Sequence, residues 1–136
     1  MLSDIFQEVY NIFKMNFYKS MCDNSRELTM QEAFSLDIIY MLKNPTILEY
    51  ANYMKISQPN ATYKINQLVE KGYLTKEVCK NDKRAFRLQV TPKFLECYRD
   101  NDRFIQQTLT DIENHFDKDD VETLKKMLLN IKEQLL

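Results

Sequence analysis

The chain has 136 residues, a net charge of −1 and 44% hydrophobic residues, which fits one globular domain and excludes a disordered chain. It has one glycine and one histidine, so it nearly lacks the residues that build the glycine-rich phosphate loops and histidine-based catalytic sites of many enzymes. Three cysteines, no long apolar stretch, and Asp4 and Glu8 within the first apolar segment predict a cytoplasmic protein without a membrane span or signal peptide. We expect a mostly α-helical protein that is not an enzyme and uses no cofactor or metal.

Apolar spacing and capping motifs predict three helices in the first part of the chain. Apolar residues recur at intervals of three and four over 2–21, and a polar loop follows over 23–29. Thr29 and Thr46 each begin a Thr-x-x-Glu sequence, the pattern of a capping box at the start of a helix. The residues expected to point inward from the third helix are Leu48, Ala51 and Met54.

A fourth helix and a β-hairpin are predicted next. Ser57 is suited to cap a helix over 58–71, and Gly72 lies where the residue after a helix adopts left-handed geometry. Alternating apolar and polar residues predict short strands over 73–79 and 85–90, joined by a polar turn.

Two helices complete the predicted order. One spans about 92–115 and the last begins at Asp117. The last helix has apolar residues at intervals of three and four, as in a coiled-coil seam that a monomer would leave exposed. The residues of this seam are Val121, Leu124, Leu128, Ile131 and Leu135.

The charge is unevenly distributed. Between Lys55 and Lys93 there are nine basic and three acidic residues, a net charge of +6, whereas the remainder carries −7. A basic segment that coincides with a helix and a hairpin is suited to bind phosphates of nucleic acid. The pattern predicts a winged helix-turn-helix, in which the second helix enters the major groove of DNA and the hairpin wing reaches the flanking backbone or minor groove.

Specific residues extend this interpretation to a family. The sequence 69–74, Val-Glu-Lys-Gly-Tyr-Leu, the wing sequence 82–84, Asp-Lys-Arg, and Val90-Thr91 before the long helix resemble the MarR family of bacterial transcriptional regulators. The resemblance covers the whole chain as a single domain and implies a winged helix-turn-helix lobe over 29–91, with dimerisation helices over 2–28 and 92–136.

The outward residues of the fourth helix and the wing are the candidate DNA contacts. Asn and Gln can pair with adenine, and Lys can reach guanine or a phosphate. The resemblance implies that Arg84 enters the minor groove and that Asp82 stabilises the wing by pairing with an arginine. Tyr63 and Lys64 depart from the usual residues of the family, which leaves the operator sequence open. The predicted contacts are Ser57, Gln58, Asn60, Tyr63, Lys64, Gln67, Lys83, Arg84 and Arg87.

The resemblance also implies a homodimer that binds a pseudo-palindromic operator and a small apolar or aromatic effector that lowers DNA affinity. From the first helix, the predicted dimer interface takes Ile5, Val9 and Ile12, which join the seam of the last helix. The candidate effector pocket is lined by Phe13, Phe17, Phe34, Tyr40 and Phe94, which alternatively only pack in the core. Cys22 is more simply a packing residue than an oxidant sensor.

A second interpretation remains open. A winged helix that has lost DNA binding would serve as a protein-interaction module, although such a module is expected to lose the basic charge of its wing. Weak salt dependence of DNA binding would favour it.

Overall fold

The computed structural model describes residues 1–24 and 27–136, except for the side chains of 22–24. The described chain is mostly helical with one antiparallel hairpin, which confirms the predicted fold class. None of its helices is long and apolar enough to cross a membrane. The elements are α1 (Leu2–Asn24), α2 (Met30–Met41), α3 (Ile47–Met54), α4 (Gln58–Glu70), β1 (Leu74–Val78), β2 (Phe86–Val90), α5 (Pro92–His115) and α6 (Lys118–Leu135).

Local signals account for most helix ends. Thr29 and Thr46 both form complete capping boxes, in which the threonine hydroxyl accepts from the amide three residues later and the glutamate carboxylate accepts in return. α1 extends to Asn24, so the predicted loop begins too early, and Ser25 and Arg26 of that loop lie outside the described residues.

The end of α4 is a Schellman motif. The amide of Tyr73 donates to the carbonyl of Leu68, and the amide of Gly72 donates to the carbonyl of Val69, each at 3.0 Å. Gly72 has a φ of 86°, which glycine adopts without a steric penalty. α3 ends in the same arrangement with Lys55 at a φ of 56°, an end that was not predicted because this position holds no glycine.

The hairpin also pairs with the turn before α3. β1 and β2 are antiparallel, with Leu74 opposite Val90 and Lys76 opposite Leu88. The Leu88 amide donates to the Pro45 carbonyl at 2.8 Å, and Thr46 forms a bridge with Arg87. The base of the hairpin is therefore fastened directly to the first helix of the helix-turn-helix.

One core joins α2, α3, α4 and the hairpin. Its fully buried members include Leu36, Tyr50, Ile65 and Leu88. Leu48 is exposed, so its predicted inward position is wrong: Ile47 and Tyr50 occupy the inward positions of α3, together with Ala51.

The chain divides into two compact units, residues 1–99 and residues 100–136. The first contains α1 to α4, the hairpin and the start of α5; the second contains the rest of α5 and α6.

Candidate nucleic-acid interface

α4 has a buried face and a polar outward face. Ala61, Ile65 and Leu68 are almost completely buried, which fixes the rotation of the helix about its axis. Of the predicted contacts on the opposite side, Gln58, Asn60, Tyr63 and Gln67 are exposed, and Lys64 is half-buried. The Gln67 amide donates to the Tyr63 hydroxyl at 3.1 Å, so these two side chains support one another on the surface.

Ser57 differs from the other predicted contacts because its side chain caps α4. Its hydroxyl oxygen accepts from the Asn60 amide at 3.3 Å, and the residue is exposed. The first turn of α4 is therefore exposed, but most of its amides are already used: those of Asn60 and Ala61 donate to Ser57, and Pro59 has no N–H.

The wing and α4 border a common groove. The groove is lined by Gln58 and Thr62 of α4, by Lys76 and Arg84 of the hairpin, and by Leu48 of α3. The structure therefore brings together two residues predicted separately from the sequence, Gln58 and Arg84. Thr62, Lys76 and Leu48 were missed because their neighbours across the groove are distant in sequence.

The tip of the wing is closed by Asp82. Its carboxylate accepts from the Arg84 amide at 3.0 Å, and its carbonyl accepts from the Ala85 amide at 3.1 Å. The predicted pairing of Asp82 with an arginine side chain is not observed among the described residues, because the carboxylate is used within its own turn. Lys83 and Arg84 are exposed at this tip.

Arg87 contacts the protein, unlike the residues at the wing tip. Its guanidinium donates to the Asn44 carbonyl at 2.9 Å, in the turn where Lys43 and Asn44 both have a φ of 58°. The side chain thus joins the base of the wing to the turn before α3. Its predicted DNA contact remains a prediction, and its contact with Asn44 was not foreseen.

Lys71 and Lys93 hold the end of α4 against neighbouring elements. The Lys71 ammonium lies 2.9 and 3.0 Å from the two carboxylate oxygens of Glu32, and it also donates to the Glu27 carbonyl. Lys93 donates to the Glu27 carboxylate at 3.0 Å and to the Lys71 carbonyl at 2.8 Å. Burial by itself would raise the pKa of Glu32, but the Thr29 amide and the Lys71 ammonium outweigh it and hold that pKa below its ordinary value.

The basic segment therefore contains two kinds of cation. Four make side-chain contacts within the described protein: Lys71, Lys76, Arg87 and Lys93. Five make none among the described residues and leave their charge available: Lys55, Lys64, Lys80, Lys83 and Arg84.

The predicted effector residues are partly assembled. Phe17, Tyr40, Phe94 and Tyr98 form a cluster with ring centroids 5.2–6.0 Å apart. Phe94 is completely buried and belongs to the core, whereas Phe34 is exposed and joins no ring cluster in the described chain. Phe13 is half-buried and has contacts of its own.

Tyr40 and Tyr98 also line an open groove with Met41, Lys43 and Leu95. Burial raises the pKa of Asp37, on the same helix as Tyr40, although the Tyr98 hydroxyl donates to its carboxylate.

Apolar faces remain uncovered in each unit. In α1, Ile5, Val9 and Ile12 are exposed. In α6 no residue is buried; Leu124, Leu128, Ile131 and Leu135 are exposed, and Val121 is half-buried. Exposure of such regularly spaced residues is expected for the predicted interface.

The cysteines and metal ligands add no further site. Cys79 is half-buried and Cys97 is buried, and neither is in a disulfide within the described part of the chain, whereas the side chain of Cys22 lies outside the described residues. The described chain has no group of three or more His, Cys, Asp or Glu residues able to hold a metal ion.

Comparisons with known proteins agree with this architecture. Residues 28–86, from just before α2 to the first residue of β2, match the model of the MarR family. The transcriptional regulator Tm0710 from Thermotoga maritima is 20% identical, with 98% of this chain and 93% of that chain covered and a TM-score of 0.70. Streptococcus pneumoniae FabT in complex with DNA is 19% identical, with 99% and 97% covered and a TM-score of 0.64.

S. aureus MepR is 14% identical and is similar in two structures. A mutant bound to an oligodeoxyribonucleotide gives a TM-score of 0.59, with 100% of this chain and 99% of that chain covered. The protein bound to ethidium bromide gives 0.62, with 100% and 97% covered. Together with the matched segment, these similarities confirm the family resemblance: residues 28–86 match the MarR family model, and the chain has the winged-helix fold of the MarR-family regulators to which it is similar.

Proposed function

We propose that this chain is a sequence-specific, double-stranded DNA-binding transcriptional regulator that acts as a homodimeric repressor. The observation that carries the proposal is the shared groove, where Gln58 of α4 faces Arg84 of the wing. An exposed polar helix face beside a basic hairpin is the arrangement that reads a major groove and reaches the adjacent backbone. FabT and a MepR mutant, which have this fold, are bound to DNA in their structures.

Each part of the surface has a distinct role in this proposal. The side-chain carboxamides of Gln58, Asn60 and Gln67 contact base edges, because a carboxamide can both donate a hydrogen bond to adenine and accept one from it. Lys64 and Lys83 contact phosphates, and Arg84 enters the minor groove. Asp82 holds the wing tip by accepting from the Arg84 amide, which orients the arginine that follows it.

The exposed apolar faces of α1 and α6 support a homodimer. A dimer places two α4 helices about one helical turn of DNA apart, so that each reads one half of a pseudo-palindrome. The acidic remainder of the chain keeps the rest of the molecule away from the phosphates.

The aromatic cluster supports an effector site beside the DNA-binding elements. A small apolar or aromatic molecule in the groove at Tyr40 and Tyr98 would contact α2 and the start of α5. If the effector binds more tightly to the form of the protein that has low DNA affinity, it shifts the population toward that form. MepR, a protein of this fold, binds the aromatic cation ethidium.

The site is tested by titrating ethidium with the DNA-free protein and following the fluorescence anisotropy of ethidium. Tyr40→Leu is expected to weaken ethidium binding.

DNA binding is tested with a duplex from the region upstream of the gene and a scrambled duplex, each titrated at several salt concentrations. We expect tight binding to the first duplex only and affinity that falls steeply with salt. Arg84→Ala should weaken specific binding by about 1–3 kcal/mol. Arg103→Ala, which removes an exposed arginine of α5, is the matched control and should bind as the original protein does.

The two arms separate the alternatives. Weak, salt-dependent binding to both duplexes would mean that the chosen operator is wrong. No binding to either duplex at low salt would overturn the proposal and favour a protein-interaction module.

A further inference from the structure

We propose that Lys76 is a positioning residue that, together with Asn66, fixes the distance between the wing and the helix α4, and that it does not itself contact DNA. The inference rests on the proposed DNA-binding function and assigns a role to two residues outside the predicted interface. Its basis is one contact: the Lys76 ammonium lies 2.6 Å from the side-chain oxygen of Asn66.

The strand register explains why Lys76 can reach α4. Lys76 is paired with Leu88, and opposed residues in an antiparallel pair project to the same face of a hairpin. Leu88 is completely buried, so the stem of Lys76 begins on the inner face of the wing and is half-buried. A lysine at this position covers apolar surface with its stem and carries its charge to the edge.

A second contact holds the ammonium in place. It lies 5.2 Å from the centroid of the Phe86 ring, the distance of a cation–π interaction. Phe86 belongs to the same wing strand as Leu88, two residues earlier. Lys76 is therefore held by the wing through Phe86 and by α4 through Asn66.

The position of Asn66 makes this contact relevant to DNA recognition. Asn66 lies one helical turn after Thr62, and Thr62 lines the groove that Gln58 and Arg84 share. The contact thus joins the wing to α4 next to this groove. Because the two DNA-reading elements must fit adjacent features of one duplex, a fixed spacing between them lowers the cost of ordering the wing on binding.

Lys76 differs from the cations expected to contact phosphate because its ammonium already has partners within the protein. Lys83, at the tip of the same hairpin, is exposed and makes no side-chain contact within the described protein. Both residues carry one positive charge, but only Lys83 has its ammonium free. Removal of Lys83 should release fewer counterions on binding, whereas removal of Lys76 should leave that number unchanged.

The test compares Lys76→Met, Asn66→Ala, the double variant and the matched control Lys83→Met. Each is measured for its affinity to the specific duplex as a function of salt concentration. Methionine keeps most of the stem over Phe86 and removes the ammonium. We expect Lys76→Met and Asn66→Ala each to weaken binding by about three- to tenfold, the size of one lost hydrogen bond, with the salt slope unchanged.

The double variant should bind no more weakly than Lys76→Met alone, because that substitution already removes the contact with Asn66. Lys83→Met should instead reduce the slope by about 0.9 per protomer. A slope lowered by Lys76→Met as much as by Lys83→Met would overturn the proposal, since Lys76 would then contact phosphate. Additive losses in the double variant would also overturn it.

Hydrogen exchange of the DNA-free protein provides a readout that does not depend on the proposed function. The Cys79 amide, which donates to the Ala85 carbonyl at 2.9 Å, reports opening of the wing. It should exchange faster in Lys76→Met and Asn66→Ala than in the original protein and be unchanged in Lys83→Met. If the original protein binds no DNA, the proposed function fails. If the Cys79 amide exchanges at the original rate in both Lys76→Met and Asn66→Ala, the contact does not hold the wing, whatever the result for DNA.

Discussion

Two carboxyl groups on α2, Glu32 and Asp37, are five positions apart, and their pKa values are shifted in opposite directions. Glu32 accepts from the Thr29 amide and pairs with Lys71, and its pKa is lowered in spite of burial. Burial raises the pKa of Asp37, and one of its carboxylate oxygens is buried without a hydrogen-bond partner. Ionised Glu32 therefore stabilises the fold, whereas ionised Asp37 destabilises it.

Asp37→Asn is expected to stabilise the protein at neutral pH. A raised carboxyl pKa means that stability decreases as the pH rises between the unfolded and folded pKa values, and the full cost remains above the folded value. The amide carries no charge, so the variant should melt roughly 1–3 °C higher at pH 7 and show no gain below pH 3.8, the ordinary pKa of an aspartate. Thermal unfolding at both pH values measures this. Glu113→Gln, at an exposed position, is the control, and a lower melting temperature for Asp37→Asn at pH 7 would contradict the assignment.

Lys71→Met is expected to destabilise the protein at neutral pH and to have little effect in acid. The pKa of Glu32 is lowered, so the pair contributes its full stability above pH 4.5, the ordinary pKa of a glutamate, and loses it as the pH falls through the folded pKa. The pair is partly open to solvent, which limits the loss at pH 7 to about 1 kcal/mol. Urea unfolding across the pH range measures it, with Lys80→Met, an exposed lysine without such a partner, as control. An equal loss at pH 7 and at pH 3 would mean that packing of the lysine stem, not the ion pair, matters.

At the scale of elements, two Schellman motifs differ in the residue that adopts the left-handed conformation. Gly72 suits this conformation, whereas Lys55 has a Cβ that crowds the backbone there. Gly72→Ala should destabilise the protein by about 1–2 kcal/mol through strain alone, because an added Cβ would be 3.6 Å from the Lys93 side chain, an ordinary contact. Lys55→Gly should stabilise it by up to about 1 kcal/mol. Chemical denaturation of both variants tests the pair, and changes of the same sign would refute the explanation.

The sequence could predict those elements whose signals are local. The caps at Thr29, Thr46 and Ser57 and the end at Gly72 involve residues within a few positions of one another, and all four are confirmed. The outward face of α4 was likewise predictable, because burial of Ile65 and Leu68 determines it.

Contacts between distant segments could not be predicted in this way. Arg87 donates to a carbonyl 43 residues earlier, and Lys76 reaches Asn66 only because the hairpin folds back on α4. Leu48 has the apolar character of a core residue, but Ile47, Tyr50 and Ala51 form the buried face of α3, and Leu48 lies outside it. Charge counts alone therefore overstate the number of cations available to DNA.

At the scale of the whole molecule, the proposed dimer depends on apolar residues that the single chain leaves exposed. Leu128 lies in the middle of the α6 seam and is 54% exposed, so a polar residue there does not disturb the core of the protomer. In a dimer the same position would be buried against a second copy. Leu128→Asp would then place a carboxylate in an apolar interface, which is strongly unfavourable without a partner.

We expect Leu128→Asp to weaken dimerisation by at least about tenfold while the protomer keeps its helical content. Sedimentation equilibrium measures the first quantity and circular dichroism the second. Lys126→Ala changes the charge of the protomer by the same amount at an exposed position of α6 and should leave the dimer intact. Because the proposed operator has two half-sites, the monomeric variant should also lose most of its affinity for the full duplex. If Leu128→Asp sediments as a dimer at the same concentrations as Lys126→Ala, the interface lies elsewhere, and the exposed seam of α6 would need a different partner.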